Sequence, residues 1–239
     1  MLDWLLNDLP GDTLVGMDLS PAFPFADAGA YFPGWADSPE NGHDLWAIID
    51  TICNNDPHLS ASTFVDHPEA SRYFRRHGGR TGDRFGTGRG RLRVVEERQR
   101  AHGLSPYSCF NLVGAAQVGK SSLTGMRVLN RLAGRIPVWP FDPRPKTGSV
   151  IVEIYTSLAA RHAGLRAGLS KMRDGSALDA ALQILGSAPH EPMLRYTDHA
   201  TDAVLTSAWL RKVAHDRAYW KPEGLDAVAQ TEGWTFGVI

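Results

Sequence analysis

Two acidic residues lie in or directly after apolar segments that are predicted to form buried strands, where burying a charge is unfavourable. Residues 13–18 (TLVGMD) end on Asp18, and residues 150–155 (VIVEIY) are apolar except for Glu153. An ionised carboxylate that is buried alone is so unfavourable that it normally neutralises or finds a partner. Because ligands of open α/β sheets bind outside the carboxyl ends of the strands, we predict that these two acids converge on one rim of a sheet.

A second pair of acids has the spacing of one helical face. Asp198 and Asp202 are four residues apart, at the head of a helix predicted over residues 198–217. The same face continues through three apolar residues that we expect to be buried: Leu205, Trp209 and Val213. The two acids should therefore point at the rim of the sheet.

A cluster of aspartate and glutamate side chains without cysteine suits a hard cation, Mg²⁺ or Mn²⁺. Two such ions roughly 3.5–4 Å apart can activate water and stabilise the leaving oxygen in phosphodiester cleavage. The first hypothesis is therefore a divalent-metal phosphodiesterase that acts on nucleic acid, with the choice between DNA and RNA left open.

Each acid also has a purely structural interpretation. Asp198 can be a helix N-cap, and Asp202 can be a solvated acid favoured by the helix dipole. Asp18 can start a turn. Glu153 can pair with an arginine, for which the sequence offers Arg127 or Arg161.

A rival motif lies in the middle of the chain. Residues 114–121 (GAAQVGKS) satisfy the P-loop pattern, with a strand predicted over 109–113 and a helix over 121–132. In a P-loop, Lys120 would reach the phosphates and Ser121 would hold Mg²⁺. The second hypothesis is therefore a nucleotide hydrolase that binds its ligand through Gly114, Gly119, Lys120 and Ser121. The structural alternative is a glycine-rich turn that starts a helix, with the lysine merely solvated.

The segment from residue 72 to residue 93 is unusually basic. It contains eight arginines, six glycines and one acid, Asp83. Glycine and arginine at this density favour a solvated, mobile loop, and we interpret the segment as a basic insertion. Arginine can track a phosphate backbone, so the loop is predicted to supply nucleic-acid affinity through Arg80, Arg84, Arg89 and Arg91. The alternative is a disordered insertion with no partner.

The composition is that of an ordinary globular protein. The 239 residues are 43% hydrophobic, with a net charge of −1, which suits a single domain over 1–239. Cys53 and Cys109 are far apart in sequence and form no C-x-x-C pair, so the sequence supports neither a disulfide framework nor a zinc ribbon. The N-terminus is no signal peptide, and no apolar run approaches about 18 residues. We expect an intracellular, cytoplasmic protein with no membrane partner; the oligomeric state stays open.

Strands are predicted over 13–18, 109–113, 150–155 and 235–238. Helices are predicted over 43–54, 94–102, 121–132, 176–185 and 198–217, with shorter ones near 3–9 and 69–76. Strands separated by helices indicate an α/β protein with a largely parallel sheet and helices on its faces.

The chain also resembles a family of uncharacterised, predicted RNase H-like nucleases. The resemblance rests on LVGMDLSPAFPF, QVGKSSLTGMRVL, VIVEIY, DHATDAVLTSAWLR and EGWTFGV, and is strongest over 13–25 and from Leu112 onward. It implies a mixed sheet flanked by helices and two divalent ions, Mg²⁺ or Mn²⁺, held by acids on core strands and on the last helix. It assigns catalysis to three acids and metal binding to four: Asp18, Glu153 and Asp202, with Asp198 accompanying them as a ligand.

The resemblance also implies a segment that this chain does not show. The RNase H-like fold begins with a hairpin whose first, central strand carries an essential aspartate, whereas only a short helix precedes the strand that ends at Asp18. We therefore expect an RNase H-like sheet truncated by its first strand or strands. A third hypothesis follows, a non-catalytic remnant that binds nucleic acid.

Overall fold

The protein contains a small parallel sheet. A computed structural model describes residues 1–114, 117–165 and 172–239. Its strands are β1 (Leu14–Met17), β2 (Val138–Trp139) and β3 (Val150–Glu153), in the order β1-β3-β2, and both pairings are parallel. The α/β class predicted from the sequence is confirmed.

Side chains of the strands alternate between two hydrophobic clusters, as the twofold period of a strand requires. Met17 and Ile151 belong to one cluster, and Val150 and Val152 belong to the other. Both faces of the sheet are therefore covered by apolar side chains, which is the usual condition of a parallel sheet.

Helices cover both faces. The described helices are α1 (Gly42–Ile52), α2 (Ser62–Asp66), α3 (Val94–Ala101), α4 (Val118–Leu132), α5 (Thr156–His162), α6 (Gly175–Ile184), α7 (Asp198–Val213) and α8 (Arg217–Trp220). Shorter helical turns are Trp4–Asp8, Pro57–Leu59, Ala70–Tyr73 and Leu225–Ala227. Helices α1 and α4 pack together in the cluster of Met17, whereas α5 and α7 pack together in the cluster of Val152. None of the helices within the described ranges is long and apolar enough to cross a membrane.

Two predicted strands are wrong. Residues 109–113 form a turn with one isolated bridge, between Asn111 and Arg75. Their apolar side chains are buried in an aromatic cluster, where the Phe110 ring stacks on Phe23 at 4.6 Å, so burial alone produced the strand-like pattern. Residues 235–238 contribute only an isolated bridge between Thr235 and Glu153.

The long C-terminal helix is also shorter than predicted. Helix α7 ends at Val213, and the four-residue helix α8 follows after a break. The side chain of Asp216 caps α8 by accepting a hydrogen bond from the N–H of Ala218, so the chain starts a new helix there.

Candidate functional site

Asp18 and Glu153 lie at the same edge of the sheet, as predicted, but on opposite faces. In the register of β1 and β3, Met17 lies beside Glu153, and both follow the alternation that faces α4. Asp18 is one residue further along β1, so its side chain turns to the other face, towards α7. The two acids are therefore neighbours at the edge of the sheet, although only Asp18 faces α7.

Asp202 reaches Asp18 from helix α7. The two carboxylates line one cavity of about 480 Å³, together with His199 and Thr206. These α7 residues recur at intervals of three and four, hence on one helical face. Gly16 allows α7 to pack closely against β1, because a Cβ at this position would come within 2.8 Å of Ile154 and Leu210. The predicted convergence of a strand acid and a helix acid is thus present in the structure.

The pKa of Asp18 is raised from 3.8 to about 6. Loss of hydration around the carboxylate is the largest cause, followed by repulsion from Asp202 and then from Glu153, and attraction by His199 partly offsets these. Asp18 itself remains solvent-accessible, so the recess is open to a ligand. A cation between Asp18 and Asp202 would relieve this repulsion.

Glu153 is bound by an arginine that the sequence analysis did not name. Arg93 donates to both carboxylate oxygens, over 2.5 Å from Nη2 to Oε1 and 2.8 Å from Nη1 to Oε2. The suggested partners lie elsewhere: Arg127 pairs with Asp50, and Arg161 donates to the backbone carbonyl of His102. Glu153 therefore pairs with an arginine, as its structural interpretation predicts, but the arginine is Arg93.

Arg93 is the centre of a buried polar network. Its Nε donates to Glu96 over 3.0 Å, and its Nη2 donates to the Ser20 hydroxyl over 3.2 Å. Thr235 adds a hydrogen bond to Glu153 over 2.8 Å. Burial raises the pKa of Glu96, an effect that the charge of Arg93 opposes.

Glu232 anchors the loop that follows Asp18. Its carboxylate accepts hydrogen bonds from the backbone N–H groups of Phe25, Ala26 and Val94, over 2.6, 2.8 and 2.6 Å. Neither Glu232 nor Arg93 is predicted as a site residue from the sequence. The Arg93-x-x-Glu96 spacing at the head of a predicted helix was the one local indication, since side chains three apart on a helix can pair.

Asp198 pairs with an arginine outside the Asp18–Asp202 cavity. It contacts Arg173, with 3.3 Å between Oδ1 and Nη2, and it is not among the described residues that line the Asp18–Asp202 cavity. Nor is it the N-cap of α7, because Thr197 accepts the capping hydrogen bond from Ala200. The structure therefore brings together Asp18 and Asp202, with Glu153 behind the rim.

A second cavity, of about 330 Å³, opens on the Glu153 side of the rim. It is lined by Glu153, Glu96, Ser20 and the first turn of α4, and Asp18 and His199 line it as well. Asp18 and His199 thus stand between the two cavities. A substrate lying across the rim would contact both.

The donor chemistry of the recess suits one hard cation. Among the described residues, no group of three or more His, Cys, Asp or Glu side chains is arranged to hold a metal. Mg²⁺, however, commonly takes one or two protein carboxylates and completes its octahedron with water and substrate phosphate. Asp18 and Asp202 fit that pattern, whereas both carboxylate oxygens of Glu153 accept hydrogen bonds from Arg93.

The P-loop motif lacks the preceding strand that is typical of it. The preceding strand is absent, residues 115 and 116 lie outside the described ranges, and α4 begins at Val118, inside the motif. Gly119 is explained by packing, because a Cβ there would come within 2.1 Å of the Cys109 carbonyl. Lys120 contacts His77, with 2.9 Å between Nζ and Nε2, and Ser121 donates to the Val118 carbonyl.

Most of the predicted phosphate-binding arginines have protein partners. Arg91 makes a bidentate pair with Asp27 and donates to three backbone carbonyls, those of Pro24, Ala30 and Tyr31. Arg84 donates to the Pro33 carbonyl, and Arg89 lies over the Tyr107 ring at 4.8 Å. The segment is irregular, as predicted, but Arg84 and Arg91 bind other parts of the protein and so stabilise the fold.

No known protein family, curated protein or solved structure matches this chain. Fold and site define it as an α/β protein with an acidic recess at the carboxyl edge of a parallel sheet.

Proposed function

We propose that this chain is a divalent-cation-dependent phosphodiesterase that acts on nucleic acid, built on an RNase H-like variant of the α/β fold. The observation that carries the proposal is the meeting of Asp18, at the end of β1, with Asp202 of α7 across one cavity. The sequence resemblance supports the same two residues as ligands. The Asp18 and Asp202 carboxylates would hold Mg²⁺ or Mn²⁺.

The bound ion would polarise the phosphodiester and lower the pKa of an attacking water. Asp18 and Asp202 would bind the ion and orient the substrate, because both residues line the open recess. His199 lines both cavities, where its ring nitrogen can accept or donate a proton near the scissile bond. Arg93 keeps Glu153 fixed at the rim and so acts as a positioning residue.

Two ions, as the resemblance implies, would require Glu153 to serve as a ligand. Both of its oxygens accept hydrogen bonds from Arg93, so a second cation would face a guanidinium across the same carboxylate. The geometry therefore favours one ion held by Asp18 and Asp202, with substrate phosphate completing its coordination.

Isothermal titration with Mn²⁺ tests the proposal. Asp18→Asn and Asp202→Asn should each weaken binding at least about tenfold, since each removes one of two carboxylates from the site. Asp37→Asn, at an exposed carboxylate, is the matched control, and Asp198→Asn should also retain binding because Asp198 lies outside the recess.

Unchanged Mn²⁺ binding in both Asp18→Asn and Asp202→Asn would remove the metal site. The wild-type protein should also cleave a labelled RNA or single-stranded DNA oligonucleotide in the presence of Mn²⁺. Metal binding without cleavage would leave the non-catalytic, nucleic-acid-binding hypothesis in place of the enzyme.

A further inference from the structure

Four basic side chains converge on a cavity of about 300 Å³ beside the first turns of α4. They are Arg76, His77, Arg80 and Lys120, and we call this cavity the cationic pocket. We propose that the cationic pocket binds phosphate groups of a nucleic-acid backbone. This inference deepens the proposed function and rests on it for the identity of the ligand, but the binding needs no metal ion.

A tight turn in the basic segment places two of these arginines side by side. The N–H of Arg76 donates to the carbonyl of Arg80 over 2.7 Å, and Arg75 bridges Thr81 in antiparallel fashion. Gly78 and Gly79, at φ +73° and +72°, supply the left-handed conformations that reverse the chain. The glycines that suggested mobility therefore build a defined turn whose two sides carry Arg76 and Arg80.

The pocket carries excess positive charge. Asp66 is the only carboxylate among its described lining residues; it lies 2.8 Å from Arg76 and 3.8 Å from Arg80. Lys120 faces no carboxylate there and instead contacts the His77 ring at 2.9 Å. Three permanent cations thus share one acid, and an anion would complete the balance.

The remaining polar atoms of the pocket suit phosphate oxygens. Nε of Arg76 is buried without a hydrogen-bond partner in the part of the chain that the structure describes. Three hydroxyl side chains line the same cavity: Ser60, Ser62 and Thr124. Arginine, lysine and hydroxyl groups together are the donors that proteins use for phosphate, and arginine can bind it bidentately.

The cationic pocket lies one helical turn away from the second cavity, which shares Asp18 and His199 with the acidic recess. Lys120, Leu123 and Thr124 of α4 line the cationic pocket, whereas Val118 and Ser121 line the cavity of Asp18 and Glu153. A strand whose scissile phosphate lies at Asp18 can therefore run through the second cavity, cross the start of α4 and place another phosphate among the basic side chains. The partial positive charge at the start of α4 adds to that attraction.

The residues that line the cationic pocket suit the backbone of a nucleic acid better than a base. Apart from His77, the described lining contains no aromatic ring on which a base could stack. Contacts to phosphate position a nucleic acid without reading its sequence. Binding at the cationic pocket should therefore be insensitive to sequence and sensitive to salt.

The test uses fluorescence anisotropy with a labelled single-stranded DNA oligonucleotide in EDTA, so that metal binding plays no part. The double variant Arg80→Gln/Lys120→Gln should bind about tenfold more weakly, and its plot of log affinity against log salt should be shallower by about 0.7 per lost contact. The matched control Arg135→Gln/Lys146→Gln removes two exposed cations outside the pocket and should bind as the wild type does.

A gain of affinity provides a second test that misfolding cannot imitate. Asp66→Asn removes the one competing carboxylate and should tighten oligonucleotide binding several-fold, because Arg76 and Arg80 lose their partner. Wild-type affinity and salt slope in both variants would overturn the proposal. So would saturation by inorganic phosphate that leaves oligonucleotide binding unchanged, since the pocket would then hold free phosphate instead. Because metal is absent, failure here leaves the Mn²⁺ titration of Asp18 and Asp202 unaffected.

Discussion

Arg93 and Glu153 form a buried, bidentate ion pair across the carboxyl edge of the sheet. The two side chains are 1% and 6% exposed, and each terminal nitrogen of the guanidinium donates to a different carboxylate oxygen. The strand acid that looked like a metal ligand in the sequence is thus compensated from within the protein, as a buried charge must be.

Glu153→Gln should therefore act mainly on stability. It removes one of the two carboxylates that pair with Arg93 and leaves Glu96 as the other, so we expect the free energy of unfolding in urea to fall by about 1–3 kcal/mol, the cost of a buried donor that loses its partner. Mn²⁺ binding by the protein that remains folded should persist. The control is Glu97→Gln, whose exposed pair with Arg100 contributes at most about 1 kcal/mol. A stable Glu153→Gln protein that has lost Mn²⁺ binding would show instead that Glu153 is a ligand.

The raised pKa of Asp18 makes stability depend on pH in a stated direction. Because the pKa is about 6 in the folded protein against 3.8 for the free side chain, the folded state binds this proton more tightly than the unfolded chain does. The contribution of Asp18 is fully present below about pH 4 and is lost as the pH rises through about 6. In urea unfolding, wild type should lose stability relative to Asp18→Asn over this window, and saturating Mg²⁺ should reduce the loss. A difference that is constant with pH would contradict the raised pKa.

Arg91 should matter for the fold rather than for nucleic acid. Arg91→Ala removes a bidentate pair with Asp27 and leaves three backbone carbonyls without their arginine donor. We therefore expect the free energy of unfolding in urea to fall by about 2–3 kcal/mol. Arg89→Ala, which removes the exposed contact with Tyr107, should cost about 0.5–1 kcal/mol. Oligonucleotide affinity of the folded Arg91→Ala protein should match the wild type. A stable variant with weakened affinity would place Arg91 among the binding residues.

The parts of the fold with a strong local pattern could be predicted from the sequence. Strands β1 and β3 and helices α1, α4 and α7 are amphipathic or apolar over several residues, and all five were predicted. The two-residue strand β2 carries too little pattern to be recognised. Residues 109–113 show the opposite error, because an irregular segment buried among aromatic rings is as apolar as a strand.

The site could be predicted only up to the pairing of the strands. That Asp18 and Glu153 end strands at one edge follows from the chain itself, but the faces they occupy depend on the register of Met17 with Glu153. A shift of one residue in that register would exchange the two faces. The local sequence around each acid does not specify the register. The partner of Glu153 is sixty residues away in sequence, so its identity depended on the folded structure.

The pairing of β1 with β3 also determines when this protein can fold. The backbone of Thr13 is hydrogen-bonded to Ser149, 136 residues further along the chain, and Arg93 joins residues 20, 153 and 232. During synthesis, β1 leaves the ribosome long before β3 is made. Its apolar side chains have no strand to pair with in that interval. Contacts this distant in sequence are associated with slow folding and with exposure to aggregation. The segment around β1 is therefore the part of the sheet that stays unpaired for longest while the chain is made.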